Sequence, residues 1–271
     1  MRLEGKTALV TGAGTGIGAA IARRLIADGA RVCLVGRRQS ALAHTLQELP
    51  DGKAITHDAD VSDADAVAGA VRTAVEFGDG RLDIVVNNAG IGPVGTIEDC
   101  DLAEWDQALA VNLTGPMLVT RAAIPHLRRG GGAVVNISSV AGRRAFPSLA
   151  AYCVSKAGLI MLTQQAAVDF GADGIRFNAV CPGWIRTPMS EQDMQAVIEI
   201  HGGDVDSAFA LVSRDTPLQR VADPSEIAAV VAFLASDDAS FVSGEVMAAD
   251  GGSTLLDVST LAFYDRAAAL T

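Results

Sequence analysis

The stretch "TALVTGAGTGIG", residues 7–18, decides the fold. A short apolar run leads into a turn with glycines at 12, 16 and 18, and a helical pattern follows. Gly12 permits a tight turn, Gly16 lets backbone approach a diphosphate, and Gly18 lets a helix pack closely on a sheet. The N-terminus of that helix offers free N–H groups and a positive dipole end. The pattern predicts a strand–turn–helix unit that binds a diphosphate, and the alternative is a merely tight turn.

Short apolar runs alternate with helical patterns along the rest of the chain. Several runs are continuously apolar, which is typical of parallel strands buried on both faces. The candidate strands are 7–11, 31–36, 54–58, 83–88, 133–138, 175–182 and 245–249. This rhythm predicts an α/β protein with a doubly wound, seven-stranded parallel sheet flanked by helices.

Nothing in the composition divides the chain, so we expect a single domain over 1–271. The segment of about 187–222 has no strand pattern and predicts a helical excursion that forms a lid. Its methionines and phenylalanine favour an apolar pocket, with ordinary helix packing as the alternative. Residues 254–271 form a C-terminal extension, expected to pack at a subunit interface or near the mouth of the site. Its apolar residues are Leu255, Leu256, Leu261, Phe263 and Tyr264.

The net charge of −11 disfavours a nucleic-acid partner, which needs a basic face. Four cysteines without a CxxC pair predict free thiols in a reducing compartment, and the four histidines follow no metal-binding pattern. No signal-peptide pattern opens the chain, and no apolar run is long enough to span a membrane. We therefore expect a cytoplasmic protein with neither a metal site nor membrane attachment.

The chain has only two tyrosines and three lysines, and Tyr152 and Lys156 stand four residues apart in "YCVSKAG" (152–158). That spacing places both side chains on one helix face. A nearby ammonium lowers the pKa of a phenol toward the range useful for acid–base catalysis. Ser139 ends a strand thirteen residues earlier. No histidine stands in a triad arrangement with it, so we do not expect a serine nucleophile.

In chain order, the glycines of GxxxGxG, "NNAG" (87–90), Ser139, YxxxK and "PG" (182–183) resemble the short-chain dehydrogenase/reductase family. The resemblance covers about residues 3–252. It implies a Rossmann-type fold and an NAD(P)-dependent oxidoreductase that interconverts a carbonyl and a secondary alcohol. Family members are commonly two-fold symmetric homotetramers, often joined through the helix after the fourth strand and the YxxxK helix.

The same resemblance implies four catalytic residues. Tyr152 is the general acid/base, and Lys156 tunes it and binds the nicotinamide ribose. Ser139 hydrogen-bonds the substrate oxygen, whereas its neighbour Ser138 is structural. Asn112, in "VNLTG" (111–115), bends its helix and holds a water that relays protons through Lys156. For Asn112 alone, a local hydrogen bond inside the helix is the alternative.

The resemblance also implies the cofactor contacts. Asp60 accepts from the adenine amino group, and Val61 offers its backbone N–H. The "PG" turn meets the nicotinamide carboxamide. The full set is Gly12, Thr15, Gly16, Ile17, Gly18, Arg37, Arg38, Asp60, Val61, Asn88, Ala89, Gly90, Tyr152, Lys156, Pro182, Gly183, Ile185 and Thr187.

The end of the second strand favours NADP(H), with NAD(H) as the alternative. An acidic residue there would bind the ribose 2′-OH of NAD, but Gly36 holds that place and Arg37 and Arg38 follow. A guanidinium can bind a 2′-phosphate bidentately. A solvated arginine pair is the other interpretation. Thr15 stands in the glycine turn where some family members have a basic residue.

The substrate is expected to be a small molecule, and the sequence leaves its class open. An NADPH-dependent ketone or 3-oxoacyl reductase, or alcohol dehydrogenase, is the main hypothesis. The alternatives are an NAD-dependent dehydrogenase of a hydroxysterol, sugar or diol, and a non-catalytic dinucleotide-sensing regulator. Arg143 and Arg144, just after Ser139, are candidates to bind a substrate carboxylate, with plain solvent exposure as the alternative.

Overall fold

Seven parallel strands form one sheet in the computed structural model, which describes residues 2–257 and 259. The strands are β1 (Thr7–Thr11), β2 (Arg31–Gly36), β3 (Ala54–Asp58), β4 (Ile84–Asn87), β5 (Gly132–Ile137), β6 (Ile175–Pro182) and β7 (Val246–Ala249). They follow the order β3-β2-β1-β4-β5-β6-β7. The sheet grows from β1 toward β3 on one side and from β4 toward β7 on the other, so the strand order switches between β1 and β4. The carboxyl ends of β1 and β4 therefore border the crevice where ligands bind in such sheets. The predicted fold class is confirmed.

Nine α-helices connect or flank these strands in the described part of the chain. They are α1 (Gly16–Ala27), α2 (Gln39–Gln47), α3 (Ala64–Phe77), α4 (Leu102–Leu109), α5 (Gly115–Leu127), α6 (Ala150–Phe170), α7 (Pro188–His201), α8 (Val205–Ser213) and α9 (Pro224–Ala235). None of the helices in that part is long and apolar enough to cross a membrane.

Each face of the sheet has its own hydrophobic core. Alternating strand residues point to opposite faces, so Val10 joins the core under α1 and α9. Leu9, beside it, joins the core under α3 and α5. Burial on both sides explains why the strands are continuously apolar.

The residue that caps the start of α3 is not Ser62, although serine is a common N-cap. Asp63 caps the helix instead, because its carboxylate accepts from the N–H groups of Asp65 and Ala66 at 2.8 and 3.1 Å. The Ser62 hydroxyl donates to Asp60 at 2.6 Å. Ser62 therefore supports a residue at the end of β3, at the ligand-binding edge of the sheet.

The segment predicted as a lid contains α7 and α8 and leaves the sheet. These helices enclose a small core of Met194, Ala208 and Phe209, separate from the two cores of the sheet. Both ends of the segment meet where Ile185 forms an isolated parallel bridge with Ala222.

Candidate active site

The glycine turn forms a narrow cradle at the carboxyl end of β1. Gly12 and Gly16 adopt φ angles of +64° and +53°, which disfavour any side chain. A Cβ built on Gly18 would lie 2.2 Å from the Gly12 carbonyl oxygen. Thr15 precedes α1 without capping it through its side chain, so it leaves N–H groups at the helix start for a ligand. The turn fits the diphosphate of a dinucleotide.

The residues predicted to hold the adenosine end lie side by side. Arg37 follows β2, and its Nη1 lies 3.8 Å from Oδ2 of Asp60. The Ser62 hydroxyl lowers the pKa of Asp60, and the Arg37 charge adds to this effect. Arg38 is exposed at the start of α2, whereas Val61 is buried against Gly115. The half-exposed guanidinium of Arg37 can therefore meet a 2′-phosphate.

The segment 87–90 connects the glycine turn with the predicted catalytic residues. Asn88 Nδ2 donates to the carbonyl oxygens of Thr11 and Gly12 at 2.9 and 3.2 Å, and the Ala89 N–H donates to Thr11 Oγ1 at 3.1 Å. A Cβ on Gly90 would lie 3.3 Å from both Asn112 Oδ1 and Lys156 Nζ.

Asn112 lies in a π-helical turn, Ala110–Thr114, between α4 and α5. Its Oδ1 accepts from the Ile91 N–H at 2.9 Å, and its Nδ2 donates to the Ile91 carbonyl oxygen at 2.8 Å. Nδ2 also donates to Ser155 Oγ at 3.0 Å. Single π turns often occur at functional sites. The amide therefore ties the loop after β4 to α6, the helix that carries the tyrosine and the lysine.

Lys156 projects from α6 into the interior, and its ammonium donates to the Ile137 carbonyl oxygen at 2.9 Å. Its Nζ lies 5.7 Å from the centroid of the Tyr152 ring. Burial lowers the pKa of Lys156 from 10.5 to about 8, because the charged form loses its hydration. Ser138 Oγ donates to the Lys156 carbonyl oxygen at 2.9 Å, so it holds α6 in place, as its predicted structural role requires.

The electrostatics at Tyr152 differ from the sequence expectation of a lowered pKa. Burial raises the pKa of the phenol, because a phenolate would lose its hydration. A hydrogen bond with Ser139 acts in the opposite direction, and the charge of Asp193 raises the pKa further. The side chain of Tyr152 therefore favours its protonated form, which suits a proton donor.

The "PG" turn leads from β6 to the start of α7, which approaches the glycine turn. The Gly183 N–H donates to the Ala249 carbonyl oxygen at 3.1 Å, directly after Pro182 ends β6. Ile185 is buried. Thr187 caps α7, and its Cγ2 lies 3.2 Å from the place of a Cβ on Gly16. The predicted nicotinamide contacts thus approach the glycine turn.

Sequence reasoning missed two residues near the tyrosine. Asp193 lies on α7, and burial raises the pKa of its carboxyl group. No spacing distinguished it from the other polar residues of the lid. Ser155 donates to the Tyr152 carbonyl oxygen at 2.8 Å while it accepts from Asn112. Its position between the tyrosine and the lysine was the available signal.

The arginines after Ser139 do not act as a pair. Arg144 Nη1 donates to the carbonyl oxygens of Ser253 and Leu256 at 3.3 and 3.5 Å, so it holds the beginning of the C-terminal extension. Arg143 is exposed. Leu255 is exposed, and the other extension residues Leu261, Phe263 and Tyr264 lie outside the described residues.

The sheet is doubly wound, and a glycine turn that fits a diphosphate lies where its strand order switches. Together with Ser139, Tyr152 and Lys156, this arrangement defines a dinucleotide-dependent oxidoreductase. The model of the family described as enoyl-(acyl carrier protein) reductase matches residues 12–254. With this match and the relatives below, the chain belongs to the short-chain dehydrogenase/reductase family. It is an enzyme that interconverts carbonyl and alcohol groups.

Two curated relatives match nearly end to end. Meso-2,3-butanediol dehydrogenase of Serratia marcescens is 37% identical, over 95% of this chain and 98% of the relative. Cis-4-hydroxycyclohexanecarboxylate dehydrogenase of Sinomonas cyclohexanicum is 40% identical, over 92% of this chain and 96% of the relative.

Solved structures agree with this fold. Levodione reductase superposes with a TM-score of 0.88 at 38% identity, covering 94% of this chain and 100% of the other. Actinorhodin polyketide ketoreductase with NADPH gives a TM-score of 0.86 at 34% identity, covering 91% and 96%.

Proposed function

We propose that this enzyme is an NADP(H)-dependent reductase of a small neutral ketone, which in reverse oxidises the secondary alcohol. The observation that carries the proposal is the approach of three groups, Ser139, Tyr152 and Lys156, to one another. The Ser139 side chain is close enough to lower the pKa of Tyr152, and the Lys156 ammonium lies 5.7 Å from the centroid of the tyrosine ring. A proton donor, an orienting hydroxyl and a titratable amine suit proton transfer to a carbonyl oxygen.

Each residue would have a separate task. Bound NADPH supplies the hydride for the carbonyl carbon. Ser139 and Tyr152 orient the carbonyl oxygen, and Tyr152 gives it a proton. Lys156 restores the tyrosine proton, and Asn112 fixes the loop and helix that frame this path. The reverse sequence removes a proton from an alcohol.

The preference for NADP(H) over NAD(H) rests on Arg37. Gly36 ends β2 without a carboxylate, so nothing at that position repels a 2′-phosphate. Arg37 is half exposed and its pairing with Asp60, at 3.8 Å, is loose enough to allow a second anionic partner.

The charge of the lid favours a neutral substrate. Residues 187–222 carry six carboxylates and two arginines. The carboxylates are Glu191, Asp193, Glu199, Asp204, Asp206 and Asp215, and the arginines are Arg214 and Arg220. Asp193 is close enough to raise the pKa of Tyr152. A substrate anion near the phenol would be repelled.

The second candidate function is reduction of the ketone of a 3-oxoacyl thioester. It shares the acyl-thioester carrier, but not the reacting bond, with the enoyl-(acyl carrier protein) reductase named in the description of the matching family model. Phosphopantetheine and coenzyme A thioesters are anionic, so they need cations near the mouth of the site. Arg186 is already paired with two carboxylates, and Arg144 holds backbone carbonyls.

The test measures consumption of NADPH and of NADH with a panel of neutral cyclic and acyclic ketones, vicinal diketones, keto acids and a 3-oxoacyl thioester. We expect a higher kcat/KM with NADPH than with NADH, and higher values for neutral ketones than for anionic ones. Turnover restricted to the thioester would select the second function. No turnover of any carbonyl or alcohol under either cofactor would reject both.

We also propose that the enzyme is a cytoplasmic homotetramer with one domain per chain and that residues 187–222 act as its substrate lid. Reduced thiols at the four free cysteines accord with the cytoplasm. Exposed apolar residues on α4 and α6 supply a surface for assembly.

A further inference from the structure

We infer that Arg186 is a positioning residue that clamps the two lid helices and thereby holds Thr187 over the glycine turn. The substrate part of this inference rests on the proposed function, whereas the mechanical part does not.

One guanidinium joins α7 to α8. Arg186 Nη2 lies 2.7 Å from Asp206 Oδ1, and Nε lies 3.2 Å from Glu191 Oε1. The same guanidinium stacks over the Phe209 ring, 5.3 Å from its centroid. Glu191 belongs to α7, while Asp206 and Phe209 belong to α8. The pKa of Arg186 is raised by these carboxylates, so the charge is permanent.

The backbone of Arg186 fixes the clamp to the body of the protein. Its N–H donates to the Ala222 carbonyl oxygen at 2.9 Å, just before α9 begins. The next residue, Thr187, caps α7 by accepting from the Ser190 N–H at 3.2 Å. Arg186 therefore stands between the fixed end of the lid and the residue that touches the glycine turn.

The lid needs such a clamp because its own core is small. Three buried residues, Met194, Ala208 and Phe209, form that core, and Phe209 carries the guanidinium on its ring. A segment with few buried apolar contacts opens more easily than the sheet. Without the clamp, we expect α8 to open from α7 more often, although their shared core remains, and the start of α7 to be held less firmly at the glycine turn.

Three variants isolate the clamp. Arg186→Gln removes the charge, Asp206→Asn removes its closest partner, and the double variant removes both. Arg128→Gln is the matched control. Arg128 is also a half-exposed arginine, with Asp173 at 2.8 Å and the Phe170 ring centroid at 6.0 Å, but it lies at the end of α5.

The first readout is cleavage of the full-length protein by chymotrypsin, which acts at residues such as Phe209 in α8. We expect Arg186→Gln to accelerate cleavage in the lid about fivefold, as for the loss of two solvent-exposed ion pairs. The effects of the two single variants on the cleavage rate should not add in the double variant, because both variants remove the contact between Arg186 and Asp206. Arg128→Gln should leave the rate unchanged.

The second readout is steady-state kinetics with a ketone found by the panel above. We expect Arg186→Gln to raise KM about fivefold with little change in kcat. Added salt should raise the KM of the wild type but not of the variant, because it screens the exposed pairs. Arg186→Lys should restore part of the wild-type KM, because an ammonium keeps the positive charge but lacks the planar set of N–H donors of a guanidinium.

Unchanged lid cleavage in Arg186→Gln would overturn the inference. Equal acceleration in Arg128→Gln would also overturn it, because the effect would then be general. A change in KM without a change in cleavage would also overturn it, because Arg186 would then contact the substrate directly and not hold the two helices together. If the wild type reduces no ketone, the proposed function fails, while the cleavage experiment still decides the role of Arg186.

Discussion

Lys156 differs from the other two lysines of the chain because its ammonium is buried, whereas Lys6 and Lys53 are partly exposed. Burial lowers the pKa of this ammonium to about 8. The neighbouring phenol moves in the other direction, because burial raises the pKa of Tyr152. At neutral pH both groups therefore hold their protons, which is the state needed to protonate a carbonyl oxygen.

A pH profile follows from these shifts. Lys156 loses its proton as the pH rises through about 8, so it can no longer restore the tyrosine proton. We expect kcat/KM for ketone reduction to be level below that pH and to fall above it, while alcohol oxidation rises. Stopped-flow measurements from pH 6 to 10, with Lys156→Gln beside the wild type, check this. A profile with the same inflection in Lys156→Gln would assign the titration to another group.

Replacing the tyrosine tests proton donation directly. Tyr152→Phe keeps the ring, which packs against Gly92, but removes the hydroxyl whose pKa Ser139 lowers. We expect kcat to fall by about 10²–10⁴, the usual contribution of a general acid. NADPH affinity, measured by fluorescence titration, should stay close to that of the wild type. Near-normal turnover would exclude Tyr152 as the acid.

Arg37 carries the prediction for cofactor preference. Removing its guanidinium in Arg37→Ala takes away a charge-assisted contact with the 2′-phosphate, of about 1.5–3 kcal/mol. We expect the ratio of kcat/KM for NADPH over NADH to fall about 10- to 100-fold, mainly through the KM for NADPH. Asp60→Asn is a companion variant, because it removes the carboxylate that lies 3.8 Å from the Arg37 guanidinium and keeps the guanidinium itself. An unchanged ratio in Arg37→Ala would mean that Arg37 is only a solvated side chain.

At the scale of the elements, the first βα unit is fixed by steric contact. A Cβ on Gly18 would lie 2.2 Å from the Gly12 carbonyl oxygen, so Gly18→Ala must push α1 away from β1. We expect the free energy of unfolding to fall by about 1–3 kcal/mol, as for an overpacked core. Urea denaturation of the full chain measures it. Gly171→Ala is the control, since a Cβ there meets nothing within 4 Å and φ is −60°. Equal loss in both variants would contradict the steric argument.

The strands and the glycine turn could be predicted because they depend on local patterns. Continuous apolar runs such as residues 32–35 of β2, and glycines at 12, 16 and 18, follow from burial on both faces and from close backbone approach. Asn112 was identifiable only by resemblance. Its π-helical turn and its pairing with Ile91 and Ser155 arise from contacts distant in sequence, which a local pattern does not encode.

The electrostatics of the site were the less predictable part, and the reason is also non-local. The spacing of Tyr152 and Lys156 gives their shared helix face, but the sign of the pKa shift at the phenol depends on how deeply α6 is covered. The cover comes partly from α7, which brings Asp193. Likewise, nothing local indicated that Arg186 would join Glu191 to Asp206.

At the scale of the whole molecule, the strand order places the glycine turn, the segment 87–90 and the "PG" turn at the carboxyl edge of the sheet, while the outer face of α6 carries exposed apolar side chains. Val154, Met161 and Val168 stand seven residues apart on α6 and are 49%, 63% and 80% exposed. A spacing of seven keeps them on one face, so they form an apolar stripe along the helix. Leu102, at the start of α4, adds a fourth exposed apolar side chain, and α4 packs against α6. Such a stripe favours contact with another copy of the chain.

We therefore expect a homotetramer in solution, and Met161→Glu to reduce it to dimers by placing a charge in the stripe. Multi-angle light scattering on full-length protein gives the mass, and Gln47→Glu on the exposed side of α2 is the charge-matched control. Because the stripe and the catalytic pair share α6, loss of the interface should also lower kcat while the core of the sheet stays folded by circular dichroism. A variant that keeps the tetrameric mass would show that α6 does not form the interface, and a wild type that is already monomeric would reject the assembly itself.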